Sequence, residues 1–156
     1  MHFGTERKRM IMNWNLRFLN LAKHVSEWSK DPSTQVGAVI FDDKNRIVSI
    51  GYNGFPKSVA DDPNKYADRN IKYKMVVHAE INAILFAQRD VSGCSIATYP
   101  FMPCSNCASV IIQSGISNCI APKIKGQLAE RWSESCELAS NMFSEAGVDL
   151  ILYDFD

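Results

Sequence analysis

Net charge is absent from this chain. Seventeen lysines and arginines are cancelled by seventeen aspartates and glutamates, so there is no basic excess of the kind that grips the phosphates of long nucleic acids. A polynucleotide partner is therefore disfavoured. Long apolar runs are absent too; none approaches the ~20 residues of a membrane-spanning helix. The basic N-terminus "MHFGTERKRM" is not followed by an apolar segment and a small-residue cleavage site, so it does not read as a secretion signal. Nor is there an even set of cysteines. Five of them, without such a signal, argue against a disulfide framework and for a reducing compartment, with cytoplasm expected. Histidine is scarce, at three residues, and no repeat or low-complexity segment interrupts the chain.

What is present suits one soluble domain over residues 1–156, with a core from about residue 13 to 153. Trp14, Phe18, Leu21, Val25 and Trp28 form one apolar stripe, which predicts a helix over 13–28. "QVGAVIF" and "RIVSIGY" read as strands joined by the polar turn "DDKN". Residues 53–74 follow without a clear period, a length at which loops are often functional. "HAEINAILFAQ" is apolar nearly all round and predicts a buried helix, while "GCSIATY", "NCIAP" and "GVDLILYD" read as strands. A further helix begins at "PCSNCASVIIQ", and a last one carries Leu128, Trp132, Cys136, Ala139 and Phe143 on one face. Two strands followed by alternating helix and strand predict an α/β layered sandwich around a mixed sheet of five strands.

The chemistry concentrates at two helix starts. Cys104 and Cys107 are three apart on one face, just after Pro103, where both sulfurs can reach one ion and the helix N-terminus favours thiolates. Of the histidines, His2 lies at the terminus and His24 on the first helix without acidic neighbours in register; His78 opens the "HAE" helix. Positions two apart point away from each other on a regular helix. His78 and Glu80 can thus face one site only if the histidine sits at the helix start. One imidazole and two thiolates would leave a zinc ion a fourth position for water, and Glu80 beside it would shuttle protons. A thioredoxin-like redox pair and a structural zinc with Cys94 as fourth ligand remain open on spacing alone. Cys94, Cys119 and Cys136 sit in apolar patterns and read as buried thiols.

His-x-Glu followed at a distance by Pro-Cys-x-x-Cys is the signature of zinc-dependent nucleobase deaminases. From Ser29 to Gly147 the chain resembles the deoxycytidylate deaminases of that family, through "SKDPSTQVGAVI", "GYNGFP", "HAEINAI", "GCS", "PCSNCA" and "IIQSGI". The resemblance implies a cytidine-deaminase-like three-layer α/β/α sandwich and hydrolytic deamination of dCMP to dUMP with release of ammonia. It implies one Zn2+ per chain, on His78, Cys104 and Cys107, and Glu80 as the proton carrier. It also implies that the Ala79 N–H bonds the pyrimidine carbonyl and that Asn53 meets the sugar hydroxyl; by turn chemistry alone Asn53 would be a positive-φ turn residue. The expected partners are a small nucleotide and further copies of the chain, as dimer or hexamer. Other substrates in the same chemistry are a modified dCMP, CMP, cytidine, guanine or tRNA adenosine. A non-catalytic nucleotide-binding module would be expected to lose Glu80 first.

The chain departs from the family in four places. "TYPFMPC" is one residue longer before the cysteines than the family's usual form, and "PKSVADD" lacks the cysteine of a second zinc site. Ser33, Thr34 and Gln35 replace an arginine before "VGAV", and the C-terminal helix lacks a tyrosine. A phosphate-binding cation is then expected from the long loop. Of Lys57, Lys65, Arg69, Lys72 and Lys74, Lys72 is the first choice.

Overall fold

The computed structural model describes residues 3–155, with side chains from Trp14 onward except that of Leu128. His2 and the Leu128 side chain lie outside the described residues. The elements run α1 (Phe3–Ser26), β1 (Gly37–Phe41), β2 (Ile47–Tyr52), α2 (Pro63–Ala67), α3 (Arg69–Met75), α4 (Ala79–Ala87), β3 (Ser95–Tyr99), α5 (Ser105–Gln113), β4 (Asn118–Pro122), α6 (Gln127–Ala146) and β5 (Asp149–Tyr153). The sheet order is β2-β1-β3-β4-β5. β1 pairs antiparallel with both β2 and β3, whereas β3, β4 and β5 run parallel. The expected mixed five-stranded sheet is present.

Period-2 alternation on the central strand β1 builds two cores at once. Val39 and Phe41 pack with Phe18, Leu19 and Ala22 of α1 on one face. Ala38 and Ile40 point the other way, into a core with Ala79 and Ala83 of α4, Ile111 of α5, and Ala139 and Phe143 of α6. Three layers result. Because Gly37 pairs with both Tyr52 and Tyr99, the C-terminal ends of β2 and β3 lie at the same sheet edge. The turn after β2, the segment leading to α5 and the start of α4 gather there.

Three expectations need correction. Helix α1 spans Phe3–Ser26 rather than 13–28. Nothing in "GTERKRMIMN" breaks a helix, and beyond Ser26 the chain tightens: Glu27, Trp28 and Ser29 N–H groups bond three residues back. The buried face is also rotated, with Leu19 and Ala22 fully enclosed and Trp28 48 % exposed. Second, the unpatterned stretch 53–74 contains α2 and most of α3. Asp62 and Asp68 cap them by accepting the N–H groups of Asn64, and of Asn70 and Ile71, and Pro63 takes the first helical turn. Third, α4 is not buried all round: Leu85 and Phe86 are exposed.

Candidate active site

Backbone pairing sets the position of His78. Val77 and Gly54 exchange two hydrogen bonds, of 2.8 and 3.1 Å, which pins the residue before His78 to the "GYNG" turn. Asn82 donates from its side chain to the Tyr52 carbonyl at 2.8 Å. A Cβ at Gly51 would run into the backbone of Ala79 and Ala83, so glycine is what lets α4 lie directly on β2. His78 is the N-cap of α4 and Cys104 the N-cap of α5, both with extended backbone and neither side chain spent on capping. The relaxed helix start required for His78 and Glu80 to share a site is therefore realised.

The imidazole Nδ1 of His78 lies 3.2 Å from Cys107 Sγ and 3.7 Å from Cys104 Sγ. All three donor atoms fall within 4.8 Å of one another. A tetrahedral zinc with bonds of about 2.0 Å to nitrogen and 2.3 Å to sulfur sets N···S edges of roughly 3.6 Å, so the cluster fits that ion. The two thiols are shifted in opposite directions by their contact. Hydrogen bonding from Cys107, helped by His78, holds Cys104 at about 4, while the Cys107 thiol is pushed up by its bond to Cys104 and by burial. The His78 imidazole is raised by its bond to Cys104 against the opposing effect of burial. Glu80 is buried, which raises its carboxyl, with His78 pulling the other way.

A cavity of about 530 Å³ opens over these groups. Glu80, His78 and Cys104 line it together with Asn53, Thr34 and Asp31. Asn53 is buried, and its backbone is not left-handed. Its Oδ1 accepts the Val36 N–H at 2.9 Å and its Nδ2 donates to the Thr34 carbonyl at 2.9 Å. Ala79 is buried in the first turn of α4, where amides lack intrahelical acceptors. Of the five cations considered from sequence, Arg69 and Lys72 line the cavity. Lys65 instead donates to the Ala60 carbonyl and Lys57 lies over the Phe86 ring. The Lys72 ammonium is 2.8 Å from Asp31 Oδ1 in a pair with little solvent access.

Several wall residues carry no local signal in the sequence. Arg131, Trp132, Ser135 and Cys136 of α6 line the cavity, and Trp132 stacks on Phe101 at 5.9 Å. Phe101 belongs to the "TYPFMPC" stretch, the one that is a residue longer than the family's usual form. The Ser135 hydroxyl accepts the Ser105 N–H at 3.2 Å, which ties α6 to the start of α5. Tyr66 also lines the cavity, with a buried hydroxyl that has no hydrogen-bond partner among the described residues. Cys94 and Cys119 are core thiols as expected, whereas Cys136 is half-buried at the cavity wall. All five cysteines are unpaired.

A three-layer sandwich carrying an imidazole, two cysteine sulfurs and a buried glutamate at the sheet edge defines a hydrolytic metal site of the nucleobase-deaminase class. Residues 12–122 match the cytidine and deoxycytidylate deaminase zinc-binding region, and the chain belongs to that family. It is 49 % identical over 147 residues to an uncharacterised deaminase of the luxG 3′ region of Aliivibrio fischeri, covering 94 % of this chain and 98 % of the relative. Human deoxycytidylate deaminase is 37 % identical over 162 residues, covering 93 % and 87 %. In fold, the chain is similar to the dCMP deaminase of cyanophage S-TIM5 solved with dCMP and dUMP, with a TM-score of 0.67, 19 % identity and coverage of 88 % and 94 %. The chain is thus a zinc-dependent deaminase.

Proposed function

We propose that this chain, as a single deaminase domain, hydrolyses dCMP to dUMP and ammonia and so contributes to pyrimidine nucleotide supply. The observation that carries the proposal is Glu80, buried beside the His78–Cys104–Cys107 cluster in a cavity of mononucleotide size. Similarity to deoxycytidylate deaminases over most of both chains supports the choice of substrate. His78, Cys104 and Cys107 hold the zinc, which when bound acidifies a water to supply the nucleophile. The chain's own residues do the rest. Glu80 takes one proton from the attacking water and gives it to N3 of the cytosine as the C4–O bond forms. It then carries the second proton, from the new C4 hydroxyl, to the amine as the C4–N bond breaks, leaving uracil and ammonia. The Ala79 N–H, free of an intrahelical acceptor, meets the pyrimidine carbonyl. Asn53 keeps one Oδ1 lone pair beyond its bond to Val36, enough to accept from a sugar hydroxyl.

The 5′-phosphate falls to Arg69 and Arg131. Both line the cavity, and neither has a carboxylate at ion-pair distance among the described residues. Arg131 lies four residues before Ser135, about one 5.4 Å turn further from the start of α5. That offset suits a group that is one sugar removed from the base. The enzyme works in the cytoplasm, where its unpaired thiols stay reduced, and assembles with copies of itself through the uncovered face of α4. No helix among the described residues is long and apolar enough to cross a membrane.

A substrate panel tests this: dCMP, CMP, deoxycytidine, 5-methyl-dCMP, guanine and a tRNA anticodon stem, read by ammonia release. We expect dCMP to be the best substrate, and replacement Arg131→Ala to lower dCMP turnover while sparing deoxycytidine. An inert dCMP beside another active member would overturn the substrate.

A further inference from the structure

Helix α3 buries Lys72 while leaving Ile71 and Tyr73 exposed and Met75 half-buried. Lys72 is 9 % exposed, whereas Ile71 and Tyr73 stand at 41 % and 56 %. Burial of Ile71 and Tyr73 therefore does not anchor this helix; the ion pair from Lys72 to Asp31 ties it to the segment after α1. Relative to apolar packing, a buried ion pair contributes little net stability, but loss of one partner strands a charge. The value of such a pair lies in what it fixes.

What it fixes is the cavity wall. Asp31 Oδ1, the atom that receives Lys72, also accepts the N–H groups of Ser33 and Thr34 at 2.8 and 3.2 Å. Asp31 Oδ2 is 3.4 Å from Asn53 Nδ2. Asn53 in turn holds Thr34 and Val36, and its own carbonyl accepts the Ser29 hydroxyl at 2.8 Å. Two side chains thus hold the backbone of residues 31–36, and one ammonium neutralises the centre of the network. The Lys72 charge is already matched and offers little to a phosphate dianion.

We infer that Lys72 is a positioning residue: paired with Asp31, it holds the Asp31–Val36 wall and through it aims the Asn53 amide at the substrate, without reading the phosphate. The inference rests on the deoxycytidylate reading for its substrate, not for its geometry.

The test compares Lys72→Met and Lys72→Arg with the wild type, all zinc-loaded. Amide hydrogen exchange reads the wall, and kcat/KM for dCMP and for deoxycytidine reads its use. Lys72→Met should speed exchange at Ser33, Thr34 and Val36. It should lower kcat/KM for both substrates by a similar factor, up to about 100-fold for a misplaced contact group, with zinc content unchanged. Lys72→Arg should restore most of both. A loss confined to dCMP would make Lys72 the phosphate ligand and overturn the inference, as would unchanged exchange at the three amides. Should Lys72→Met fail to fold, the double variant with Asp31→Asn removes both charges and must still lose both substrates equally. A wild type inert toward both substrates would sink the deoxycytidylate reading instead, and amide exchange alone would then decide the role of Lys72.

Discussion

Glu80 is the side chain on which metal binding and proton transfer can be told apart. It lies outside the cluster of three donors, yet is buried against them. Glu80→Gln keeps the volume and removes the proton carrier. Turnover should fall by about 10²–10⁴-fold, while elemental analysis still finds one zinc per chain. Zinc lost along with activity would show that the carboxylate supports the metal. These four residues were legible because zinc chemistry demands fixed residue types at short spacings, His-x-Glu and Cys-x-x-Cys. Lys72 was legible as a cation but not as one already paired, since Asp31 lies 41 positions away and such a distance leaves no local pattern. Arg131 was hidden for a related reason: on an amphipathic helix, an arginine beside Glu130 reads as a solvated charge.

Among the elements, α4 matters most, because its N-cap is His78, its first turn carries Ala79 and Glu80, and its seat is a glycine. Replacement of Gly51 by alanine puts a methyl group into the backbone of Ala79 and Ala83. Overpacking of this kind costs typically about 1–3 kcal/mol, so the urea midpoint should drop and zinc affinity should weaken as His78 shifts. Gly54→Ala is the control: a Cβ there meets nothing within 4 Å. Equal effects of the two substitutions would contradict the close seat of α4. The strands and α5 were readable from apolar runs and their boundaries. Helices α2 and α3 were not, because at five and seven residues neither completes an amphipathic repeat. Their signal lay in the caps, Asp62 before Pro63 and Asp68 before Arg69. The stripe assigned to α1 was partly misplaced because Leu19 and Ala22, small or adjacent to a larger residue, pack closest to the sheet.

Across the molecule, one sheet edge collects every group of the site, while the far side of α4 is left apolar and open. Leu85 is 62 % exposed and Phe86 50 %. A sequence apolar all round predicts burial on all sides, but the chain itself buries Ala79, Glu80 and Ala83 and partly covers Ile84 and Ala87, leaving Leu85 and Phe86 exposed. A second copy is the cover we propose. In a twofold contact the same patch meets itself, so both residues are buried from both chains. At about 1.5–3 kcal/mol for each large apolar side chain fully removed from water, that is enough to hold a dimer once the rest of the interface is added. Light scattering on the purified protein should therefore report a multiple of 17.5 kDa. Leu85→Glu with Phe86→Glu should return it to monomer, because carboxylates brought together across the axis repel and lose their water. The site residues point away from this face, so the folded monomer should keep its zinc. A wild type that runs as a monomer at micromolar concentration, or a double variant that stays assembled, would leave the apolar face of α4 without the role given to it.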